Sequence, residues 1–211
     1  MISAANRGMP FEEFIEYANV RYRNAGLGVV VKQPTPFKPI RNRNGQIVSC
    51  KVEQKATVDF MGRYRNLPVA IEAKHTLKDR INFSEVKDHQ AKFLDDFIGD
   101  YGLGFGAVLV SFKLERFFLV PWQFWAVARD LWNLDKGKRE TVTAYGMKWD
   151  TTGKASVSAD ELLPEWEIKL NNKYGLAYLS KIDTYIKPSQ LRYTGNETGK
   201  SGNQDVMMPA T

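Results

Sequence analysis

The stretch 57–74, Thr-Val-Asp-Phe-Met-Gly-Arg-Tyr-Arg-Asn-Leu-Pro-Val-Ala-Ile-Glu-Ala-Lys, constrains the fold of this chain more than any other. Apolar residues alternate with polar ones at 56–60 and again at 69–73, the pattern of two half-buried strands, and the glycine and basic residues between them suit a turn. A hairpin is predicted. Ala70, Glu72 and Lys74 then share one face of its second strand, and Thr57 and Asp59 share one face of its first. Singly, such residues on a sheet are ordinary surface salt-bridge partners. If the two faces meet, however, two carboxylates, a hydroxyl and an ammonium converge with no large apolar side chain between them. Hard divalent cations take oxygen ligands, and Mg²⁺ binds one or two carboxylates together with waters and substrate phosphates. Asp59 and Glu72 supply the carboxylates. Thr57 could support the metal through its hydroxyl or carbonyl. Lys74 is placed to stabilise negative charge at a reacting phosphorus or to help orient the attacking water.

The flanking sequence supplies elements to hold such a hairpin. Phe11, Phe14, Ile15 and Ala18 have helical spacing behind Pro10, which predicts an amphipathic helix running to about Asn24 and ended by Gly26. Residues 28–32 read as a short buried strand because three consecutive valines cannot all face solvent without cost. Ser84 is placed to cap a helix whose apolar stripe includes Val86, Phe93, Leu94, Phe97 and Ile98. Gln90 falls on that inward stripe, where it must be hydrogen-bonded or liganding something, and it could reach the carboxylates from there. Strands are predicted at 107–112 and 116–120, then a helix at 122–132 whose three tryptophans serve packing rather than base stacking. A strand at 141–147 and helical spacing within 165–183 are weaker signals. Residues 194–211 are polar and predict a disordered tail.

Between the first strand and the hairpin the composition changes. Residues 32–55 hold three prolines, almost no large apolar residues, and six cations (Lys32, Lys38, Arg41, Arg43, Lys51, Lys55) against the one anion Glu53. This segment carries most of the chain's net charge of +6. Asn44-Gly45 at its centre is a hairpin-turn signal, so the segment is read as an exposed basic arm fit for a polyanion. A chain of 211 residues holds one domain of ordinary size, here 1–193 with 33–55 as the projecting arm. The lone Cys50 forms no intrachain disulfide, and two histidines make no zinc cluster. A cytoplasmic protein is expected: no apolar run approaches the length of a membrane span, and no signal peptide is visible at Met1.

Asp59 with Glu72-Ala73-Lys74 fits the spaced Asp and Glu-x-Lys pattern of the PD-(D/E)xK nuclease superfamily. Asn6-Arg7-Gly8 before Phe11-Glu12, then Lys32-Gln33-Pro34-Thr35-Pro36, Thr57 to Tyr64, Glu72-Ala73-Lys74 and His89-Gln90 follow in order. Over residues 6–125 this arrangement resembles the RecU-type Holliday junction resolvases of Gram-positive bacteria and their phages. The resemblance implies an α/β fold with a restriction-endonuclease-like core, a mixed central sheet flanked by helices, and a projecting basic stalk. It implies metal ligands at Thr57, Asp59, Glu72 and Gln90, a transition-state-stabilising lysine at Lys74 and an acidic position near the site at Glu12. It also implies Mg²⁺ (with Mn²⁺ as a substitute), four-way junction DNA as substrate, a homodimer to make two matched incisions, and recombination or branch-migration proteins as partners. The arm is shorter than the usual family stalk, and the C-terminal third departs from the family pattern. Another nuclease of the superfamily acting on branched or linear DNA, and a junction-binding accessory factor that does not cut, are the alternatives.

Overall fold

The computed structural model describes residues 10–34, 36–52, 57–99 and 104–186. The Asn6-Arg7-Gly8 motif, Lys55 and the predicted tail at 194–211 lie outside these residues. Helix α1 (Phe11–Asn24) has Glu12 and Glu13 in its first turn and Arg21 and Arg23 in its last, the order a helix dipole favours. Its buried side is Phe11, Phe14, Ile15, Ala18 and Tyr22. Gly26, at φ 68°, turns the chain into β1 (Gly28–Lys32). The arm follows as β2 (Phe37–Arg41) and β3 (Ile47–Val52). Next come β4 (Phe60–Tyr64), β5 (Leu67–Thr76), β6 (Arg80–Asn82) and α2 (Asp88–Ile98). Strands β7 (Phe105–Phe112) and β8 (Arg116–Pro121) lead into α3 (Trp122–Leu134). Short strands β9 (Thr141–Ala144), β10 (Met147–Asp150), β11 (Ser156–Ser158), β12 (Glu167–Ile168), β13 (Leu170–Asn171) and β14 (Gly175–Leu176) precede α4 (Tyr178–Tyr185).

The central sheet is six-stranded and mixed, in the order β1-β4-β5-β7-β8-β12. Only β5 and β7 run parallel; the other neighbours are antiparallel. Helices cover both faces. Phe11 of α1 lies against His75, and Phe105, in register with Val69, lies against Tyr185 of α4. The α1–α4 side is therefore the face of Val69, Ile71, Ala73 and His75. The opposite face, that of Ala70 and Glu72, is covered by α2, whose Leu94 and Ile98 pack closely over Gly106. Helix α3 is tied to α2 by Trp122 Nε1, which donates to Asp95 Oδ1 at 2.6 Å. Covered on both sides, β5 and β7 read as nearly continuous apolar strands, as parallel neighbours do. Among the described residues no helix is long and apolar enough to cross a membrane.

The central hairpin differs from its predicted form. Its first strand is 60–64 rather than 56–60, and its turn is Arg65-Asn66, with Arg65 at φ 52° and Tyr64 paired to Leu67. Gly62 is no turn glycine. It sits opposite Val30 in mid-strand, where a Cβ would fall 2.0 Å from the Val29 carbonyl oxygen, so it is small because β1 crosses close beside it. Ser84 does not cap the following helix: 83–85 form a separate 3₁₀ turn, and α2 begins at Asp88.

The arm is a two-stranded antiparallel hairpin, exposed along its described length. Asn42 Oδ1 accepts from the N–H groups of Asn44 and Gln46 at 3.0 Å each, and Gly45 takes φ 78°, which together make the tip. The arm is more apolar than the sequence reading allowed, with Phe37, Ile40, Ile47 and Val48 all exposed.

Candidate active site

Because Phe60 pairs with Ile71, the residue ahead of the β4 strand, Asp59, falls beside Glu72. A backbone group fixes it there: the Ala73 N–H donates to Asp59 Oδ2 at 2.8 Å. Glu72 is fully buried in mid-strand. Its Oε1 accepts from Gln90 Nε2 at 2.6 Å and from Lys74 Nζ, while its Oε2 is buried with no hydrogen-bond partner among the described residues. Burial, and next the negative charge of Asp59, push the Glu72 carboxyl up to about 7, against the opposing pull of Lys74. Lys74, one pleat along, is itself mostly shielded from solvent. The structure thus brings Asp59, Glu72, Lys74 and Gln90 together at one place.

Gln90 is held from two sides. Its Oε1 accepts from the Lys87 N–H at 2.9 Å, closing the first turn of α2, and its Nε2 faces Glu72. It therefore both caps its own helix and bonds the site. A side-chain oxygen ligand at Gln90 would need the amide turned over, at the cost of that cap. Thr57 is half-buried two residues before Asp59, with no hydrogen bond to the carboxylates among the described residues. Glu12, in the first turn of α1, makes no hydrogen bond to this group among the described residues; its carboxylate lies 2.6 Å from Lys32 Nζ, and Lys32 pairs with Phe60, the residue after Asp59.

That ion pair also changes the reading of Lys32, which is read from sequence as a free cation of the arm. Glu16, at 3.3 Å, joins Glu12 around it, so Lys32 is neutralised at the arm's root. Lys38 and Lys51 are exposed cross-strand neighbours, a like-charge pairing unfavourable in isolation and relieved by a polyanion. Arg41 Nη1 donates to the Gly45 carbonyl at 2.7 Å, and Arg43 is exposed at the tip. His75 is on the α1 face, 3.1 Å from Ser111 Oγ, away from Glu72.

Two contributors left no mark in the sequence. The Ala73 N–H that seats Asp59 is a backbone group with no residue signature. Asp183 of α4 accepts from Tyr64 Oη at 2.8 Å and from Arg65 at 3.2 Å, anchoring the hairpin turn from a distant segment. The donor set fits a hard divalent cation. The orphaned Glu72 Oε2 and the adjacent Asp59 offer two oxygen donors of like charge, and two carboxylates suffice for Mg²⁺ when water and phosphate complete its shell.

A mixed sheet flanked by helices, with an Asp, a Glu-x-Lys and a helix-borne Gln gathered at one strand, defines a nuclease-like core. The family model described as "Recombination protein U" matches residues 6–184. The Holliday junction resolvase RecU of Lactobacillus delbrueckii subsp. bulgaricus is 30% identical over 192 residues, covering 87% of this chain and 82% of the relative. Those of Streptococcus thermophilus and Streptococcus pneumoniae are 33% and 31% identical, over 68% and 67% of this chain and 74% and 72% of theirs. The chain belongs to the RecU family.

Proposed function

We propose that this chain is a homodimeric, Mg²⁺-dependent endonuclease, with Mn²⁺ as a substitute, that resolves four-way DNA junctions by paired, symmetric hydrolysis of phosphodiesters. The names of its relatives and the family match support the substrate class. The observation that carries the chemistry is the buried Glu72, pressed against Asp59 and held by Lys74 and Gln90, with one oxygen left without a donor. We read residues 1–193 as a single nuclease domain.

Asp59 and Glu72 would hold a divalent cation, which would offset their like charges and supply Lewis acidity for phosphodiester hydrolysis. Asp59, seated by the Ala73 N–H, and Glu72, seated by Gln90, orient their free oxygens toward the same volume. Lys74 keeps its ammonium at that volume, where it stabilises the negative charge that grows on the phosphoryl oxygens. Thr57 contributes its hydroxyl or carbonyl from the segment entering Asp59. The arm supplies Lys38, Arg41, Arg43, Lys51 and Lys55 to DNA phosphates, so affinity falls steeply with salt.

The test compares cleavage of a four-way junction, a flap and a linear duplex with Mg²⁺. Preferential junction cleavage in paired, symmetric positions is expected. Equal rates on all three would replace the resolvase reading with a broader nuclease, and no cleavage of any would leave a binding factor.

A further inference from the structure

On the face of the central sheet that carries Glu72, the cross-strand register sets side chains in rows across β1, β4 and β5. The Gln33 N–H donates to the Asp59 carbonyl at 2.7 Å, which continues the β1–β4 ladder one step past the pairing of Lys32 with Phe60. Gln33, Asp59 and Glu72 therefore form one row. The next row on this face is Val31, Met61 and Ala70, and the one after it holds Arg63, opposite Val29 and Pro68. Beyond the carboxylates in the other direction stands Lys74. Helix α2 closes this face over β5 but leaves it open over β4 and β1: Ala70 is fully buried, whereas Val31 is 45% exposed and Arg63 is exposed.

Arg63 has no acidic partner among the described residues, while Arg65, Arg80, Arg116 and Arg129 are each paired with a carboxylate. Its Nη1 donates to the Arg65 carbonyl at 2.8 Å, which holds the guanidinium against its own strand and leaves the other N–H groups free. An arginine held in this way presents its fork to a phosphate. Arg63 lies four residues from Asp59, about 13 Å along β4, and Lys74 lies about 7 Å to the other side of the carboxylates. Between Arg63 and the carboxylates, Val31 and Met61 offer no charged or hydrogen-bonding side chain. Cation, carboxylates, apolar row and cation follow one another across the face. That order matches a polynucleotide strand laid along it, with phosphates at the charged rows and the carbon surface of a deoxyribose over the apolar one.

We propose that the open β1–β4 face is the track of the DNA strand being cut, and that Arg63 binds a phosphate of that strand about 13 Å from the scissile one, with Val31 and Met61 against the intervening sugar. The strand then leaves the carboxylates along β4 toward the Arg65-Asn66 turn, away from the root of the arm at Gln33. The arm and Arg63 thus grip the substrate on different sides of the bond to be broken. The inference rests on the nuclease reading above and adds a binding residue and a direction to it.

Gel shift on four-way junctions tests it, with single phosphates flanking the wild-type cleavage position replaced in turn by neutral methylphosphonates, and with circular dichroism melting as a check on folding. Arg63→Ala is expected to melt as wild type, to weaken junction binding about fivefold and to lower the slope of log affinity against log salt by about 0.9. Arg63→Lys, which keeps the charge, is expected to keep the slope. In wild type, a methylphosphonate at one position on one side of the cleavage site is expected to weaken binding by a similar factor. In Arg63→Ala that same replacement is expected to have no further effect, because the contact is already gone. If Arg63→Ala binds with wild-type affinity and slope, or if its effect multiplies with that of every methylphosphonate, the track is wrong while the nuclease reading stands. If wild type binds junctions and cuts none of them, the nuclease reading fails and the track, as the path of a cut strand, fails with it.

Discussion

The chain builds two antiparallel hairpins within forty-odd residues, and their environments are opposite. Hairpin β4–β5 is walled by neighbouring strands and by helices on both faces, and it carries carboxylates. Hairpin β2–β3 is exposed along its described length and carries cations. Burial converts an ordinary glutamate into a group with a carboxyl pushed up to about 7, because its charge is expensive without a counter-ion. Exposure leaves Lys38, Lys51 and Arg43 able to act on a polyanion at a distance. The same secondary structure thus serves local chemistry in one place and long-range attraction in the other. A lone two-stranded hairpin is marginal in water, so the arm depends on what it meets, whereas β4–β5 is fixed beforehand.

The difference can be broken at its strongest point first. Lys74→Ala is expected to slow junction cleavage by about 10²–10³-fold or more, since it removes a preorganised charge at the reacting site, while junction binding in gel shift is retained. An equal loss of binding would mean that the buried hairpin also grips the substrate.

Glu72→Gln separates the energetic cost of the site from its chemistry. A carboxyl with its folded value raised from 4.5 to about 7 holds its proton more tightly in the folded state. In the metal-free protein the contribution of Glu72 is therefore most favourable at low pH and is lost as pH rises from about 4.5 through about 7, by roughly 3 kcal/mol in all. Denaturant melts of Glu72→Gln without metal should lack that loss and match or exceed wild type at pH 8, with cleavage abolished. In wild type, divalent-cation affinity measured by calorimetry should strengthen with pH up to about 7, with proton release, and level off above it. A pH-independent affinity would contradict the role of Glu72.

Gln90→Ala removes both the cap of α2 and a donor to Glu72, so metal affinity is expected to fall about tenfold. An intact affinity would restrict Gln90 to its helix. In the arm, Lys38→Ala/Lys51→Ala should leave the turnover rate at saturating DNA unchanged. It should weaken binding and reduce the slope of log affinity against log salt by about 1.8, close to 0.9 for each phosphate no longer neutralised. An unaltered slope would remove these lysines from the DNA path.

Much of this contrast is legible in the sequence, because strand alternation is a strict period. That alternation alone places Ala70, Glu72 and Lys74 on one face and isolates the cationic segment from the core. Helix α1, strand β1, strands β7 and β8 and the tryptophan-bearing α3 follow from periodicity in the same way. What escapes has identifiable physical causes. Gly62 has the composition of a turn but is set by the approach of β1, a non-local contact. The seat of Asp59 is a backbone N–H. Which end of the Gln90 amide faces Glu72 depends on where α2 starts; Ser84 is a capping residue type, but the helix starts after Lys87. The pairing of Lys32 with Glu12 and Glu16 joins residues from two elements, so counting charges along the chain overstated the free charge of the arm. In the last third, strands of two to four residues are too short to show a period, although Tyr178, Tyr185 and Asp183 close the α1 face of the core and anchor the central turn.

The most direct measurement is cleavage of a labelled four-way junction with and without Mg²⁺ by wild type and by Asp59→Asn. Metal-dependent, paired and symmetric incision by wild type, lost in Asp59→Asn with junction binding intact, is the predicted result. Cleavage that persists in Asp59→Asn, or wild type that binds the junction and never cuts it, would contradict the assignment of the chemistry to the buried hairpin.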